Sequence, residues 1–471
     1  MKVEALSRDR RDATAEKITI VSILLILFCY LFFILSPTHD YKIAGTFLFP
    51  LAIALVAVMA FRSNGHVSLA VVPSLLFVLW YYVINALNGN PYLLIFRSDI
   101  RLGGALIAWV LFFATPMALG KEKRDKLAFA FALLFTAGMG LFAWAGLMGL
   151  LMGKPFTSQF SGLTIDWQVW RLGLFQIHPN FAASMMSIGM GFGVYLMAAA
   201  QGSRAYRWAL RGLAGFFMVG ILVFIALTDS RTVFLTVSLL FGMMAFQICY
   251  RSQKLKGLWL RLVAGAAAMV LVAAVVFFGF PAVGRGVTRW VTSVATQNAA
   301  GSAVKAEEQT QAAQPMTRDL TALSSDLSTM TGRTAVYGAM WNTIKARPET
   351  LWKGTLPDHA MELPNTFMNY ERMNTHNALL QALLITGLPG ALLALCVLAM
   401  GIVAALRLYF ASPEKTAVAT QALIALWVAL VVNNTMEAYL FTEDNLVNLA
   451  FFFLCGALLA EGKRALGKGS P

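Results

Sequence analysis

The sequence predicts an all-α, polytopic membrane protein of about twelve transmembrane helices, with a large extracytoplasmic loop between two late helices. Three observations carry the prediction. Of 471 residues, 58% are hydrophobic and only 13% charged, and the mean hydropathy is +0.68, beyond what a soluble domain carries. About twelve apolar runs are long enough to cross ~30 Å of hydrocarbon. Lys and Arg alternate between the connections in the manner of cytoplasmic loops.

In chain order the runs are approximately Ile18 to Ser36, Ile43 to Phe61, Ser68 to Leu87, Leu102 to Leu119, Leu127 to Met152 and Phe181 to Ala200. Then follow Ala209 to Leu227, Thr232 to Tyr250, Leu258 to Phe280, Gly387 to Phe410, Thr416 to Val432 and Leu446 to Ala460. The first has a basic flank before it and no small-residue cleavage site after it, which predicts an uncleaved signal anchor. All four cysteines, Cys29, Cys249, Cys396 and Cys455, lie inside runs, so the sequence carries neither a disulfide framework nor zinc spacing.

With the N-terminus inside, the inner connections collect about 22 of the 37 basic residues, among them Lys121, Lys123, Arg124, Lys126, Arg204, Arg207, Arg211, Arg251, Lys254, Lys256 and Arg407. The short outer loops hold Lys42, Arg97, Arg101, Lys154, Arg171 and Arg231. Both termini are therefore expected in the cytoplasm. The net charge of +14 reads as topology and attraction to anionic membrane lipids, with no call for nucleic acid.

Three regions follow: 1–280, transmembrane helices 1 to 9 with short loops; 281–376, the extracytoplasmic loop; and 377–471, C-terminal transmembrane helices with a cytoplasmic tail. Within the loop, Val294 to Thr329 is rich in Ala, Gln, Thr and Ser and predicts a mobile or loosely helical lid. From Thr331, a candidate cap, Arg333, Tyr337, Trp341 and Ile344 or Lys345 recur at helical spacing until Arg347-Pro348 ends the helix. His376 stands at the next helix start, with Asn374 or Thr375 as its expected N-cap, and Gly387-Leu388-Pro389-Gly390 predicts a break or kink that leaves a short re-entrant or interfacial segment.

Asp229-Ser230-Arg231-Thr232 at a span mouth, Gly332-Arg333 with Trp341 eight residues on, His376-Asn377 followed by LLQALLITGLPG, and the earlier HPNFAA with Asn180 together resemble the O-antigen ligase and polymerase superfamily, over roughly residues 170 to 400. Protein O-oligosaccharyltransferases belong to the same superfamily. The resemblance implies transfer of a glycan from an undecaprenyl-diphosphate-linked donor to an acceptor hydroxyl, on lipid A core or a growing polysaccharide, outside the membrane.

Such a donor carries its leaving group already, so the protein must neutralise diphosphate charge and remove a proton from the attacking hydroxyl. Guanidinium groups grip phosphate oxygens bidentately and stay charged, which makes Arg231 and Arg333 the expected diphosphate ligands. The outer loops contain no Asp-x-Asp cluster, so a metal-independent reaction without a cofactor is expected. The positive end of a helix dipole favours a neutral imidazole, and His376 is the expected general base. A single displacement would invert the anomeric centre, and no serine or carboxylate is placed to suggest a covalent intermediate.

Each candidate has a plainer rival. Arg231 can snorkel and pair with Asp229, although a basic residue outside a span opposes the charge bias on that side. Arg333 can be a solvated helical arginine. Trp170 with Arg171 can form an interface belt, and Arg97 and Arg101 can touch headgroups, as readily as bind substrate. His178 reads as a structural interface residue rather than a substrate contact, and His359 and Glu362 match no spacing. Glu437 is an ionisable group near the outer end of a span, equally a functional group and a helix-end partner. A transporter would show two pseudo-symmetric halves with charges at mid-membrane, and neither is legible here. A structural scaffold leaves the outer arginines and His376 without a task.

Overall fold

A computed structural model describes residues 2–31, 69–88, 96–151, 167–168, 171–172, 179–228, 230–252, 254–300, 333–355, 375–410, 417–441 and 446–466. The protein is an all-α polytopic membrane protein. Its helices are α1 (Lys2–Cys29), α2 (Val72–Leu87), α3 (Phe96–Ala118), α4 (Lys121–Leu151), α5 (Pro179–Ala199), α6 (Arg204–Thr228), α7 (Arg231–Tyr250) and α8 (Leu258–Ala300). They continue with α9 (Arg333–Ala346), α10 (Thr350–Lys353), α11 (Ala378–Tyr409), α12 (Val418–Met436) and α13 (Leu446–Leu466). Two-residue strands β1 (Trp167–Gln168) and β2 (Arg171–Leu172) pair antiparallel.

Among the described residues nine helices are long and apolar enough to cross a membrane, and two shorter apolar helices, Lys17–Cys29 and Ile107–Ala118, fall in the first and fourth expected runs. The second expected run, Ile43 to Phe61, lies outside the described residues, as does 301–329 of the expected lid. Helix α8 continues through Pro281, the expected start of the polar loop, to Ala300. At 43 residues that helix is roughly 65 Å long and must project well past the hydrocarbon. Tertiary contacts carry it across the proline: Phe280 stacks on Phe234 of α7 with ring centroids 4.8 Å apart, and Gly284 lies against the carbonyl of Ala226.

Helices α5 and α13 form the centre of the bundle. Gly189, Gly191 and Gly193 leave room on α5 for Met139 of α4, Leu426 of α12 and Met218 of α6, the close approach that small residues allow between membrane helices. An aromatic core fills the other side, where Phe131 stacks on Phe453 at 4.1 Å and Trp109 on Phe452 at 5.5 Å.

The bundle has two distinct ends. At one, Gln247 of α7 donates to the carbonyl of Tyr409 of α11, Gln421 of α12 donates to Leu408, and Arg124 of α4 lies 3.2 Å from Glu461 of α13. Arg251 and Arg407 belong to this end, with the basic starts of α4 and α6. At the other meet the starts of α5, α7 and α11 and the end of α12.

The Gly387 break is present, with φ 67° and ψ −178° inside α11. A helix broken in hydrocarbon must find new partners for its carbonyls. Thr355 donates its N–H to Leu384 at 2.8 Å, and the Trp80 indole of α2 donates to Thr386 at 2.7 Å. Asn88, capping α2, donates to Lys353 at 2.9 Å and ties α10 to the same place. Gly354 (φ 66°, ψ −168°) faces the Ile385 carbonyl and Gly387 faces that of Trp352, so two glycines in a backbone region closed to other residues lie against each other. Gly387→Ala is expected to cost on the order of 3 kcal/mol, through the disallowed φ and the overlap with Trp352. It should lower the thermal unfolding midpoint of the purified protein, and an unchanged midpoint would argue against the clamp.

Candidate active site

The half of α11 before the break, Ala378 to Thr386, presents the residue expected to act as base. Its N-cap is Asn377, not Asn374 or Thr375 as expected: the Asn377 side-chain oxygen accepts from the N–H groups of Leu379 and Leu380, both at 3.1 Å. Thr375 is otherwise engaged, its N–H donating to Gln381 and its hydroxyl to the Asn377 carbonyl, each at 2.8 Å. Asn377 also donates to the Thr435 carbonyl at 3.1 Å, which binds the start of α11 to the end of α12. His376 thus stands just outside the helix, at φ 49°, a left-handed conformation that His tolerates better than most residues.

From there its Nδ1 lies 3.2 Å from Oε2 of Glu437, the residue that ends α12. The two are unequally placed: the His376 side chain is 26% exposed and that of Glu437 1%, so the imidazole is reachable and the carboxylate is sealed in protein. Glu437 Oε1 accepts from the Asn180 amide of α5 at 3.0 Å and faces the Thr232 hydroxyl of α7 at 3.4 Å. One carboxylate oxygen is anchored to two helices and the other meets the imidazole. A hydrogen bond from Nδ1–H to the Glu437 carboxylate would fix that tautomer and leave Nε2 with the lone pair of a base.

A polar column continues inward from Glu437. Thr236 donates to the Thr232 carbonyl at 2.8 Å and faces the Asn433 side-chain oxygen at 3.2 Å; Asn433 donates to Ser184 at 2.9 Å, and Ser184 to the Asn180 carbonyl at 2.8 Å. These bonds join α5, α7 and α12 in a closed circuit. Polar groups satisfied internally are what hydrocarbon permits, and they hold the three helix ends in register.

Arg231 is the first residue of α7, directly before Thr232, and is partly exposed at this same end of the bundle. Arg333 begins α9, which buries Val336, Met340 and Ile344; Met340 and Ile344 pack on Leu384, with Leu380 beside them, so the helix rides on the half of α11 that follows His376. The Arg333 side chain lies outside the described residues, as do those of Arg97 and Arg101 on α3 and of Arg171 in β2. Trp170, His178, Asp229, His359 and Glu362 lie outside them altogether. Trp341 is on the exposed side of α9, with the Lys345 ammonium 5.8 Å from its ring centroid. Ile344 therefore belongs to the buried stripe and Lys345 to the face of Trp341.

Asn180, which the family resemblance marks as a possible substrate contact, donates from its amide to Glu437. Glu437 itself is the residue whose weight rises most. The available signal was an acid beside an apolar span, in VVNNTMEAY, where ionisable groups mark function by default.

Residues 216–395 match the family model of the O-antigen ligases, Wzy_C. Over that stretch the chain is similar to the O-antigen ligase family. It contains Arg231, Thr232, Arg333, Trp341 and His376, whereas Asn180 and Glu437, the groups that engage one another beside His376, lie outside the matched residues. The similarity to the O-antigen ligases supports a glycosyltransferase-like function in surface polysaccharide synthesis, in an enzyme of ligase or polymerase type. No curated protein matches the chain.

Proposed function

We propose that this protein transfers a glycan from an undecaprenyl-diphosphate-linked donor to an acceptor hydroxyl on the extracytoplasmic face of the bacterial inner membrane, both termini being cytoplasmic. The observation that carries the reading is the His376–Glu437 pair, 3.2 Å apart at the end of the bundle where Arg231 begins α7 and away from the end where Lys and Arg gather. His376 Nε2 takes the proton from the acceptor hydroxyl as its oxygen attacks the anomeric carbon. The bond from that carbon to the diphosphate breaks, the electron pair leaves with the lipid diphosphate, and the configuration inverts. Glu437 stabilises the imidazolium that forms. Arg231 and Arg333 hold the diphosphate oxygens as their charge grows, and need no change of protonation to do so. Trp341, Trp170, Arg171, Arg97 and Arg101 are the proposed surroundings of glycan and lipid headgroup. Asn180 acts through Glu437.

The test is transfer by the purified full-length protein from a polyprenyl-diphosphate-linked oligosaccharide, offered in parallel lipid A core, a second donor molecule and a Ser/Thr peptide. Product in the first mixture identifies a ligase, in the second a polymerase, in the third a protein glycosyltransferase, and no product in any of them sinks the reading. Because two guanidinium groups supply the charge, activity is expected to persist in excess EDTA. A strict requirement for a divalent ion would overturn the arginine assignment.

A further inference from the structure

Two residues other than glycine have positive φ among the described residues, and both lie at this site: His376 at 49° and Phe441 at 66°. Phe441 is the more unusual, because a bulky side chain is rarely found there, and it is 1% exposed. It is the last described residue of the non-helical segment 437–441 that starts with Glu437. Such backbone at membrane depth survives only when protein groups satisfy it.

Two buried asparagines do so. Asn434, on the last turn of α12, accepts from the N–H groups of Tyr439 and Leu440, both at 3.1 Å, and donates to the Leu430 carbonyl at 2.9 Å. Asn448, on the first turn of α13 and fully buried, accepts from the Phe441 N–H at 2.9 Å and donates to the Tyr439 carbonyl at 3.0 Å. Each amide thus uses both of its ends on backbone, which fixes its orientation and excludes an apolar or a carboxylate substitute. Aromatic contacts lock the turn from outside. The Phe441 ring meets Phe77, Phe451 and Phe452 edge-on, and Tyr439 lies 4.7 Å from Phe181, the neighbour of Asn180. Strain held by this many partners belongs to sites that need one geometry.

We propose that Asn434 and Asn448 are positioning residues: they hold the strained turn 437–441 so that the Glu437 carboxylate is aimed at His376 Nδ1 and selects the tautomer with Nε2 free. The inference rests on the proposed role of the His376–Glu437 pair. Burying two amides is costly in a bilayer-embedded bundle, and a plain helical connection would not require them. What the turn supplies instead is a carboxylate that cannot swing away from the imidazole.

The tautomer is read by nitrogen-15 NMR of the full-length protein in lipid nanodiscs, with labelled histidine, at a pH where the ring is neutral. Only five histidines contribute, and His376→Gln identifies the signal. In the unaltered protein His376 is expected to be protonated on Nδ1. Asn448→Leu and Asn434→Leu, in whichever folds, should shift it toward the Nε2–H form, as Glu437→Ala does, and lower kcat on the order of tenfold at unchanged donor KM. A folded variant that keeps the Nδ1–H form overturns the proposal, and so does an unaltered protein protonated on Nε2, without any variant. Absence of glycan transfer alongside the expected tautomer changes counts against the enzymatic reading alone and leaves the positioning role standing.

Discussion

His376→Ala is expected to abolish glycan transfer while leaving the protein in the membrane. The imidazole is the reachable member of the pair, and its partner is buried behind it, so alanine removes the group that takes the proton together with its 3.2 Å contact to Glu437 Oε2. General-base catalysis contributes about 10²- to 10⁴-fold, so the rate should fall by at least two orders of magnitude. The cap of α11 belongs to Asn377, so folding should survive. Membrane content by immunoblot set beside product formation separates the two effects. Transfer retained at full rate in His376→Ala would remove this residue from the chemistry.

Arg231→Lys is expected to fail almost as badly. Lysine keeps the charge and loses the fork, and a point charge cannot meet two phosphate oxygens in the plane that a guanidinium offers. If the fork stabilises the departing diphosphate, the loss falls on kcat/KM and is on the order of 10²-fold, the size seen when one preorganised donor is removed from a developing anion. The first turn of α7 is also held through Thr232 and the polar column, which keeps the substitution local. Steady-state kinetics with varied donor checks it. A lysine variant with the original kcat/KM would show that Arg231 acts by charge alone or not at the diphosphate.

Much of this arrangement was legible before any tertiary structure. The spans announce themselves because hydrocarbon imposes a length, and the sequence Gly387-Leu388-Pro389-Gly390 announces its break because proline withholds an N–H and glycine alone enters the backbone region found at 387. Arg231 drew notice as a basic residue on the sparsely charged side. Other features were local but undetermined. Asn374, Thr375 and Asn377 are all competent caps, and which one serves depends on the backbone angles that Thr375 and Gln381 impose together. The continuation of α8 through Pro281 depends on Phe234, far away in sequence, and a proline rule alone stops the helix too early.

The chain by itself determined a bilayer protein, the placing of its basic ends, a kinked late helix and a histidine at its threshold, because each follows from residues within a few turns of one another. Tertiary structure alone decided that His376 meets Glu437, 61 residues on, and that Asn180, 257 residues before that glutamate, anchors the other carboxylate oxygen. The physical reason is that hydropathy and turn chemistry act along the chain, whereas a hydrogen bond between helix ends exists only once the packing of whole helices has chosen which ends are neighbours.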